Sequence, residues 1–248
     1  MEDILTNQKV ALAILSKLGY QADLVGSGEA ALAAIRKTDY DLVLMDCEMP
    51  NMDGFETTHR MRSDASAIRH SSIPIIAVTA NAMQGDREKC LAAKMDDYLA
   101  KPLEPRQLAE MILKWLPRPG TIPSAAAVNN FAEPPRKSIF DEKGLTARLS
   151  GDESLTRSIL AGFVNDVPRQ LKSLREHIEQ SDANRVSAEA HALKGAAATV
   201  SAGAVNDLSL QIQLAGTAGD WTRAAGLLVQ LDQQFEKFKT TLSESGWM

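Results

Sequence analysis

Three short apolar runs in the first half of the chain each end at a polar residue, and these runs constrain the fold more than any other feature. Residues 40–45 end at Asp46, residues 73–78 at Thr79, and residues 97–100 at Lys101. Apolar runs of this length are typical of buried parallel strands. The carboxyl ends of parallel strands meet at one edge of a sheet, where ligands bind. The sequence therefore predicts that a carboxylate, a hydroxyl and an ammonium group converge at that edge.

Helical patterns separate the three runs. Residues 20–25 are predicted to form a further strand. Asp53-Gly54 is a turn signal that precedes one of the helices. The predicted helices cover residues 7–18, 29–37, 55–61, 84–94 and 105–115. This alternation of strands and helices predicts an α/β domain with a parallel sheet.

The polar residues at the strand ends occur in an order and spacing that resemble the receiver domain of two-component signalling proteins. The residues that carry the resemblance are Glu2 with Asp3, Asp46, Thr79, Tyr98, and Lys101 with Pro102. The resemblance implies a flavodoxin-like, doubly wound parallel sheet with the strand order 2-1-3-4-5. It assigns residues 1–116 to this domain.

Within that resemblance Asp46 is the phosphoacceptor. A carboxylate is already ionised at neutral pH and needs no general base to attack phosphorus. Its obstacle is repulsion from the phosphoryl oxygens, which a divalent cation and the Lys101 ammonium group would offset. The resemblance implies Mg²⁺ as the cofactor. The implied ligands are the carboxylates of Asp3 and Asp46 and the backbone carbonyl of Glu48, with Glu2 in support.

Thr79 and Tyr98 are implied to couple this chemistry to the domain surface. Thr79 can donate one hydrogen bond to a phosphoryl oxygen. In the receiver family that bond pulls the loop inward and swings the aromatic residue at the Tyr98 position. Phosphorylation of Asp46 is therefore expected to change the adjoining surface.

The chain departs from the receiver pattern at its start. Only Met1 precedes Glu2 and Asp3, whereas the family has an apolar strand at this point. That strand is central in the sheet, so its loss is expected to open the sheet and leave the acidic pair frayed and poorly anchored. Either the sequence starts too late or another segment fills the slot. In addition, Lys94 stands where the family usually has a helix-ending glycine, and Ser201 stands where a glycine is often found.

Residues 117–138 differ in composition from the sequence before them. They contain alanines, few large apolar residues and five prolines: Pro117, Pro119, Pro123, Pro134 and Pro135. This composition predicts a semi-extended linker. From residue 139 onward strand signals vanish and apolar residues follow helical spacing, so residues 139–248 are predicted to form an all-α, antiparallel four-helix bundle. Asp166, Asp182 and Asp220 are predicted N-caps of its helices.

His191, Lys194 and Gly195 occupy positions i, i+3 and i+4 of one predicted helix, so they share a face. A neutral imidazole is a competent nucleophile at physiological pH, and Lys194 supplies positive charge for a phosphoryl group. Gly195 is predicted to leave the face open beside His191 for partner docking. The segment is similar to the His-x-Leu-Lys-Gly motif of histidine-containing phosphotransfer (HPt) domains, which are four-helix bundles without kinase activity.

The overall composition disfavours several classes of protein. A net charge of −5 disfavours binding to nucleic acid, which is itself negatively charged. No apolar run approaches the ~20 residues that a membrane-spanning helix needs. Two cysteines without metal-site spacing provide no disulfide framework. The chain is expected to be cytoplasmic, alone or at the cytoplasmic end of a membrane-anchored kinase.

The two resemblances together are to the C-terminal part of a hybrid sensor histidine kinase. The favoured function is a phosphorelay intermediate: phosphate reaches Asp46 from a histidine kinase core, in the same full-length protein or another, moves to His191, and leaves for a downstream response-regulator receiver. No ATP-binding motif is visible in the sequence, so the chain would transfer phosphate without making it from ATP. Whether it is itself an enzyme stays open.

Two alternatives use the same sequence features. One is a non-catalytic pseudo-receiver that presents the HPt bundle as a binding module. Asp3 discriminates this alternative, since a pseudo-receiver would show no Mg²⁺-dependent chemistry. The other is a phosphate sink that drains a kinase, and its residues are the same as those of a relay.

Overall fold

A computed structural model of the chain describes residues 1–49, 51–63, 72–79, 84–116, 139–149 and 151–248, without the side chains of 84–87. The chain divides into two compact units, Met1–Val128 and Asn129–Met248. The predicted linker, residues 117–138, lies outside the described residues. The predicted limits of 1–116 and 139–248 therefore stay predictions.

The first unit alternates helices with parallel strands. Its strands are β1 (Val43–Asp46), β2 (Ile75–Thr79) and β3 (Asp97–Ala100). Its helices are α1 (Leu5–Lys17), α2 (Gly28–Lys37), α3 (Gly54–Ser63), α4 (Gln84–Ala92) and α5 (Pro105–Trp115). β2 pairs in parallel with both β1 and β3. The predicted α/β architecture is therefore confirmed.

The sheet register brings the polar strand ends together. Every residue of β2 is buried, as expected for the central member of a parallel sheet with a continuous apolar sequence. Asp46 pairs with Val78, and Thr79 pairs with Ala100. Asp46, Thr79 and the residue after β3, Lys101, therefore stand at the same carboxyl edge.

Met1 and Glu2 occupy part of the slot beside β1. The Met1 ammonium group donates to the Leu44 carbonyl at 2.7 Å, and the Asp46 N–H donates to the Met1 carbonyl at 3.3 Å. On the other side the Glu2 N–H donates to the Val25 carbonyl at 3.1 Å. These bonds follow the pattern of a parallel ladder. The expected fraying of the acidic pair is therefore wrong for Glu2, which is buried and bonded.

Residues 20–25 do not form the predicted strand. A strand requires a ladder of partners, and the segment between residues 20–25 and β1 consists only of Met1 and Glu2. A cavity of about 400 Å³ lies beside these two residues. Its lining is largely apolar and includes Leu12, Leu24 and Leu44. The described sheet therefore has three strands in the order β1-β2-β3, which matches the 3-4-5 part of the predicted 2-1-3-4-5 order. Met1 and Glu2 are hydrogen-bonded beside β1, and the predicted strand at residues 20–25 is absent.

An apolar extension fused ahead of Met1 is expected to stabilise the first unit. A parallel strand in the cavity would add main-chain bonds on both sides and cover the apolar lining. We expect a Val- and Ile-rich extension of about five residues to raise the unfolding temperature of the first unit. The increase should be about 4 °C for each kcal/mol by which the extension stabilises the fold. Amide hydrogen exchange at residues 23–25 should slow. A Gly/Ser extension of equal length is the control, and equal exchange in both proteins would contradict the prediction.

The second unit consists of helices. They are α6 (Glu142–Arg148), α7 (Glu153–Glu179), α8 (Ala183–Thr199), α9 (Gly203–Thr217) and α10 (Trp221–Glu244). α7 contacts α8 and α10, and α9 contacts the same two helices, so the four long helices close into the predicted bundle. Its centre includes an edge-to-face pair of Phe163 and Phe238, with ring centroids 5.6 Å apart.

The helix starts were predicted with mixed success. Asp182 and Asp220 cap α8 and α10 as predicted, each accepting a backbone N–H bond at 3.1 Å. The predicted start at Asp166 is wrong, because α7 continues through it and holds Pro168 in its interior. An interior proline costs about 3 kcal/mol, which burial of neighbouring apolar residues such as Phe163 offsets. α9 was not predicted individually, and its N-cap, Ala202, offers no side-chain bond as a signal.

Lys94 and Ser201 adopt the left-handed backbone conformation that glycine favours, with φ of 65° and 58°. These are the two positions where the families usually have glycine, so the backbone geometry is kept without the residue. Both carbonyls are held by hydrogen bonds. Arg62 Nε donates to the Lys94 carbonyl at 3.2 Å, and the Asp141 N–H donates to the Ser201 carbonyl at 3.1 Å.

Candidate active sites

The first candidate site centres on Asp46 at the end of β1. The Lys101 N–H donates to the Thr79 carbonyl at 2.7 Å, which places Lys101 directly beside the end of β2. Lys101 Nζ then donates to Asp46 Oδ2 at 2.6 Å. The exposed fractions of Asp46 and Thr79 are 1% and 5%. The structure thus brings together the carboxylate, the hydroxyl-bearing residue and the ammonium group that the sequence placed at three strand ends.

Lys101 also contacts a second carboxylate. Its Nζ lies 2.7 Å from Glu2 Oε2, so one buried ammonium group joins Glu2 and Asp46. Burial alone would lower the pKa of Lys101, but the charges of Asp46 and Glu2 outweigh it and raise that pKa. Burial raises the pKa of Asp46, against the opposing effect of Lys101. The lysine is therefore firmly protonated, whereas ionised Asp46 needs further positive charge.

Asp3 completes an acidic cluster at this edge. Carboxylate oxygens of Glu2, Asp3 and Asp46 lie within 4.8 Å of one another. Besides Lys101, the Met1 amine is a nearby basic group, and burial lowers its pKa. A compact set of hard oxygen donors with excess negative charge suits Mg²⁺. The residues present therefore fit the predicted metal.

Gly54 supports the backbone of this site. Its N–H donates to the Cys47 carbonyl at 3.1 Å, and a Cβ atom at this position would overlap the carbonyl oxygen of Asp46. From the sequence Gly54 is predicted only as a turn residue. Its close approach to the phosphoacceptor's main chain depends on the tertiary packing of α3 against β1, which the sequence does not reveal.

Tyr98 and Glu48 are further predicted residues of this unit, and Cys47 lies next to the phosphoacceptor. Tyr98 is half-buried and packs against the core. Glu48 is exposed, and its N–H donates to Asp46 Oδ1 at 3.2 Å. Cys47, next to the phosphoacceptor, is buried with its Sγ 3.8 Å from Cys90 Sγ, and burial raises the pKa of its thiol. A buried thiol of raised pKa is a poor nucleophile.

The second candidate site lies on α8. The exposed fraction of His191 is 8%, and Lys194 is half-buried on the same helix face. Lys194 Nζ donates to Gln213 Oε1 at 3.4 Å, and Asn206 Nδ2 donates to the Lys194 carbonyl at 2.8 Å. Asn206 and Gln213 were not predicted from the sequence. Their spacing of seven residues along α9 is the signal that could have placed them on one helix face.

Gly195 is buried in the bundle. The prediction that the helix face is open at this position is therefore wrong for Gly195 itself. The physical reason is that α8 packs against both α7 and α9.

Family models match both units. A response regulator receiver domain model matches residues 1–113, and an Hpt domain model matches residues 158–241. The chain is a receiver domain followed by an Hpt domain. This pair of domains belongs to two-component phosphorelays. The two family resemblances inferred from the Asp46 and His191 motifs are therefore confirmed.

The receiver–Hpt pair matches the C-terminal part of hybrid sensor kinases. The sensor protein GacS of Pseudomonas syringae is 31% identical over 198 residues, covering 79% of this chain and 22% of that protein. The virulence sensor protein BvgS of Bordetella pertussis is 32% identical over 237 residues, covering 92% and 19%. The chain thus spans about a fifth of the length of these curated relatives.

A solved structure resembles the receiver domain. It is the receiver domain of a Pseudomonas aeruginosa sensor histidine kinase, crystallised with a magnesium ion in its active site cleft. It is 44% identical and covers 46% of this chain and 92% of that chain, with a TM-score of 0.42.

Within the described residues of the present chain, no helix is both long and apolar enough to cross a membrane.

Replacing Lys101 by methionine is expected to destabilise the receiver domain by about 3–5 kcal/mol in Mg²⁺-free buffer, because Asp46 and Glu2 would stay buried without their cation. Urea denaturation measures the change. Lys114→Met is the matched control: Lys114 is 62% exposed in its ion pair with Asp97, so its loss should cost about 1 kcal/mol or less. Equal midpoints for the two variants would show that the buried ion pairs do not stabilise the fold.

Proposed function

We propose that Asp46 is the phosphoacceptor of the receiver domain and that His191 relays phosphate to or from a receiver aspartate. The contact between Lys101 Nζ and Asp46 Oδ2 inside an acidic cluster carries this proposal. An ammonium group beside the proposed acceptor carboxylate would offset the negative charge of an incoming phosphoryl group. Thr79, at the adjacent strand end, is the proposed donor to a phosphoryl oxygen.

The proposed cofactor is Mg²⁺, held by Asp3, Asp46 and the backbone carbonyl of Glu48. When bound, it supplies positive charge that offsets repulsion between the carboxylate and the phosphoryl oxygens. Glu2 supports the site through Lys101. The raised pKa of Asp46 is consistent with this need, since burial without added positive charge favours the protonated carboxyl.

The transfer step exchanges one bond to phosphorus for another. A carboxylate oxygen of Asp46 attacks the phosphorus of a kinase phosphohistidine, and the N–P bond breaks as the O–P bond forms. The imidazole leaves in its neutral form when its other nitrogen carries a proton. In the following step a ring nitrogen of His191 attacks the phosphorus of the acyl phosphate, and the aspartate carboxylate leaves. Lys194 would attract the phosphoryl oxygens at this second site.

The proposed partners are a histidine kinase core upstream and the receiver of a response regulator downstream. Tyr98 is proposed to report phosphorylation to the surface of the receiver domain, and the helix face that carries His191 and Lys194 is the proposed docking site of the partner domain. The pseudo-receiver alternative is disfavoured, because Asp3, Glu2 and Asp46 form a compact oxygen cluster. A phosphate sink would use the same residues and differs only in the direction of net flux.

Asp46→Asn is expected to abolish phosphorylation by acetyl phosphate and Mg²⁺ while leaving the fold intact, because the side chain is nearly isosteric but no longer an anion. Intact-mass spectrometry measures the gain of one phosphoryl group, and circular dichroism checks the fold. Wild-type protein without Mg²⁺ is the control for the metal requirement. Undiminished labelling of the variant would refute Asp46 as the acceptor. Labelling of wild type that is independent of Mg²⁺ would refute the metal site.

Mixing two variants tests the route of transfer. Asp46→Asn protein keeps His191, and His191→Gln protein keeps Asp46, so phosphate can pass between them only from chain to chain. We expect transfer to His191 in the mixture to be slower than in wild type at low concentration and to rise with concentration. Phosphohistidine is detected by its acid lability. Transfer at the wild-type rate at low concentration would contradict a route within one chain.

A further inference from the structure

Asn7 makes a buried contact with Glu2 that the sequence did not suggest. The exposed fraction of Asn7, near the start of α1, is 7%. Its Nδ2 donates to Glu2 Oε1 at 3.0 Å, and the Ile4 N–H donates to the same oxygen at 3.2 Å. Two donors therefore fix one carboxylate oxygen of Glu2: the side chain of Asn7 in α1 and the main chain of Ile4 just before α1.

The other oxygen of Glu2 faces the site. Glu2 Oε2 lies 2.7 Å from Lys101 Nζ, which in turn lies 2.6 Å from Asp46 Oδ2. A continuous chain of polar contacts thus runs from Asn7 through Glu2 and Lys101 to the proposed phosphoacceptor. Every member is largely buried, so each contact is weakly screened by water.

We infer that Asn7 is a positioning residue that orients the Glu2 carboxylate and, through it, the Lys101 ammonium group. This inference rests on the proposed function of Asp46. With Oε1 held, Glu2 presents only Oε2 to Lys101 and cannot rotate to draw the ammonium group away from Asp46. Preorganised charge is what lowers the barrier to phosphoryl transfer, so an imprecise Lys101 slows the reaction. Asn7 touches neither substrate nor metal in this scheme.

A role in positioning differs from a role in packing. Asn7→Leu keeps the branched side-chain skeleton and removes the donor, and Asn7→Ala removes both. Thr6→Val is the matched control: Thr6 precedes Asn7 on α1 and is 5% exposed, and valine preserves its shape. If Asn7 only fills space, Asn7→Leu should behave like wild type.

The experiment measures the rate of phosphorylation by acetyl phosphate across a Mg²⁺ titration. We expect both Asn7 variants to lose about tenfold in rate at saturating Mg²⁺, as for the loss of one hydrogen bond to a charged group. The Mg²⁺ concentration for half-maximal rate should change by less than about twofold, because the proposed metal ligands are untouched. Thr6→Val should keep the wild-type rate. An unchanged rate in Asn7→Leu would overturn the inference.

A double-mutant cycle identifies Glu2 as the intermediary. In a Glu2→Ala background, Asn7→Ala should have no further effect, since the group it orients is gone. Additive losses would overturn the inference, because Asn7 would then act by another path. The cycle compares folded proteins by circular dichroism, and Asn7→Leu replaces Asn7→Ala if the latter unfolds. Failure of wild type to label at Asp46 would refute the proposed function itself, whereas labelled wild type with unaffected variants would refute only the role of Asn7.

Discussion

One buried ammonium group organises the receiver site. Lys101 joins Asp46, 55 positions earlier in the chain, to Glu2 near its start. Two carboxylates at this depth would repel each other and resist ionisation without a cation between them. The lysine offsets only part of the charge that Glu2, Asp3 and Asp46 bring together. The site therefore has negative charge that Lys101 does not offset and that a metal cation would neutralise.

The main chain at the start of the molecule serves the same site. The Asp46 N–H donates to the Met1 carbonyl, so the residue that precedes the acidic pair also anchors the backbone of the phosphoacceptor. Gly54, the first residue of α3, packs closely against the main-chain carbonyl of Asp46. Small displacements here would move the carboxylate relative to Lys101, and catalytic geometry tolerates little displacement. The hydrogen bond that extends the sheet beside β1 therefore also helps to position the carboxylate of Asp46.

Sequence patterns predicted many features that depend on local order, although the predicted helix start at Asp166 is wrong, and they failed where a distant partner decides. The strand ends at Asp46 and Thr79 and the caps at Asp182 and Asp220 are local signals, and the structure has them. Residues 20–25 carry strand-like residues, but a strand needs neighbours that Met1 and Glu2 cannot fully provide. The contact of Asn7 with Glu2 and the burial of Gly195 arise from tertiary packing, for which a single sequence carries no direct signal.

The two halves contribute unequally to transfer. Among the described residues, the clustered groups that could hold a metal are Glu2, Asp3 and Asp46 of the receiver domain. Around His191 the described contacts instead hold Lys194, through Gln213 and Asn206. The His191 site, with Lys194 nearby, would supply a nucleophile and modest charge stabilisation. The receiver site would supply the Lys101 ammonium group and carboxylates able to hold Mg²⁺. In either direction of transfer the receiver that docks on His191 would therefore provide most of the stabilisation of the transition state.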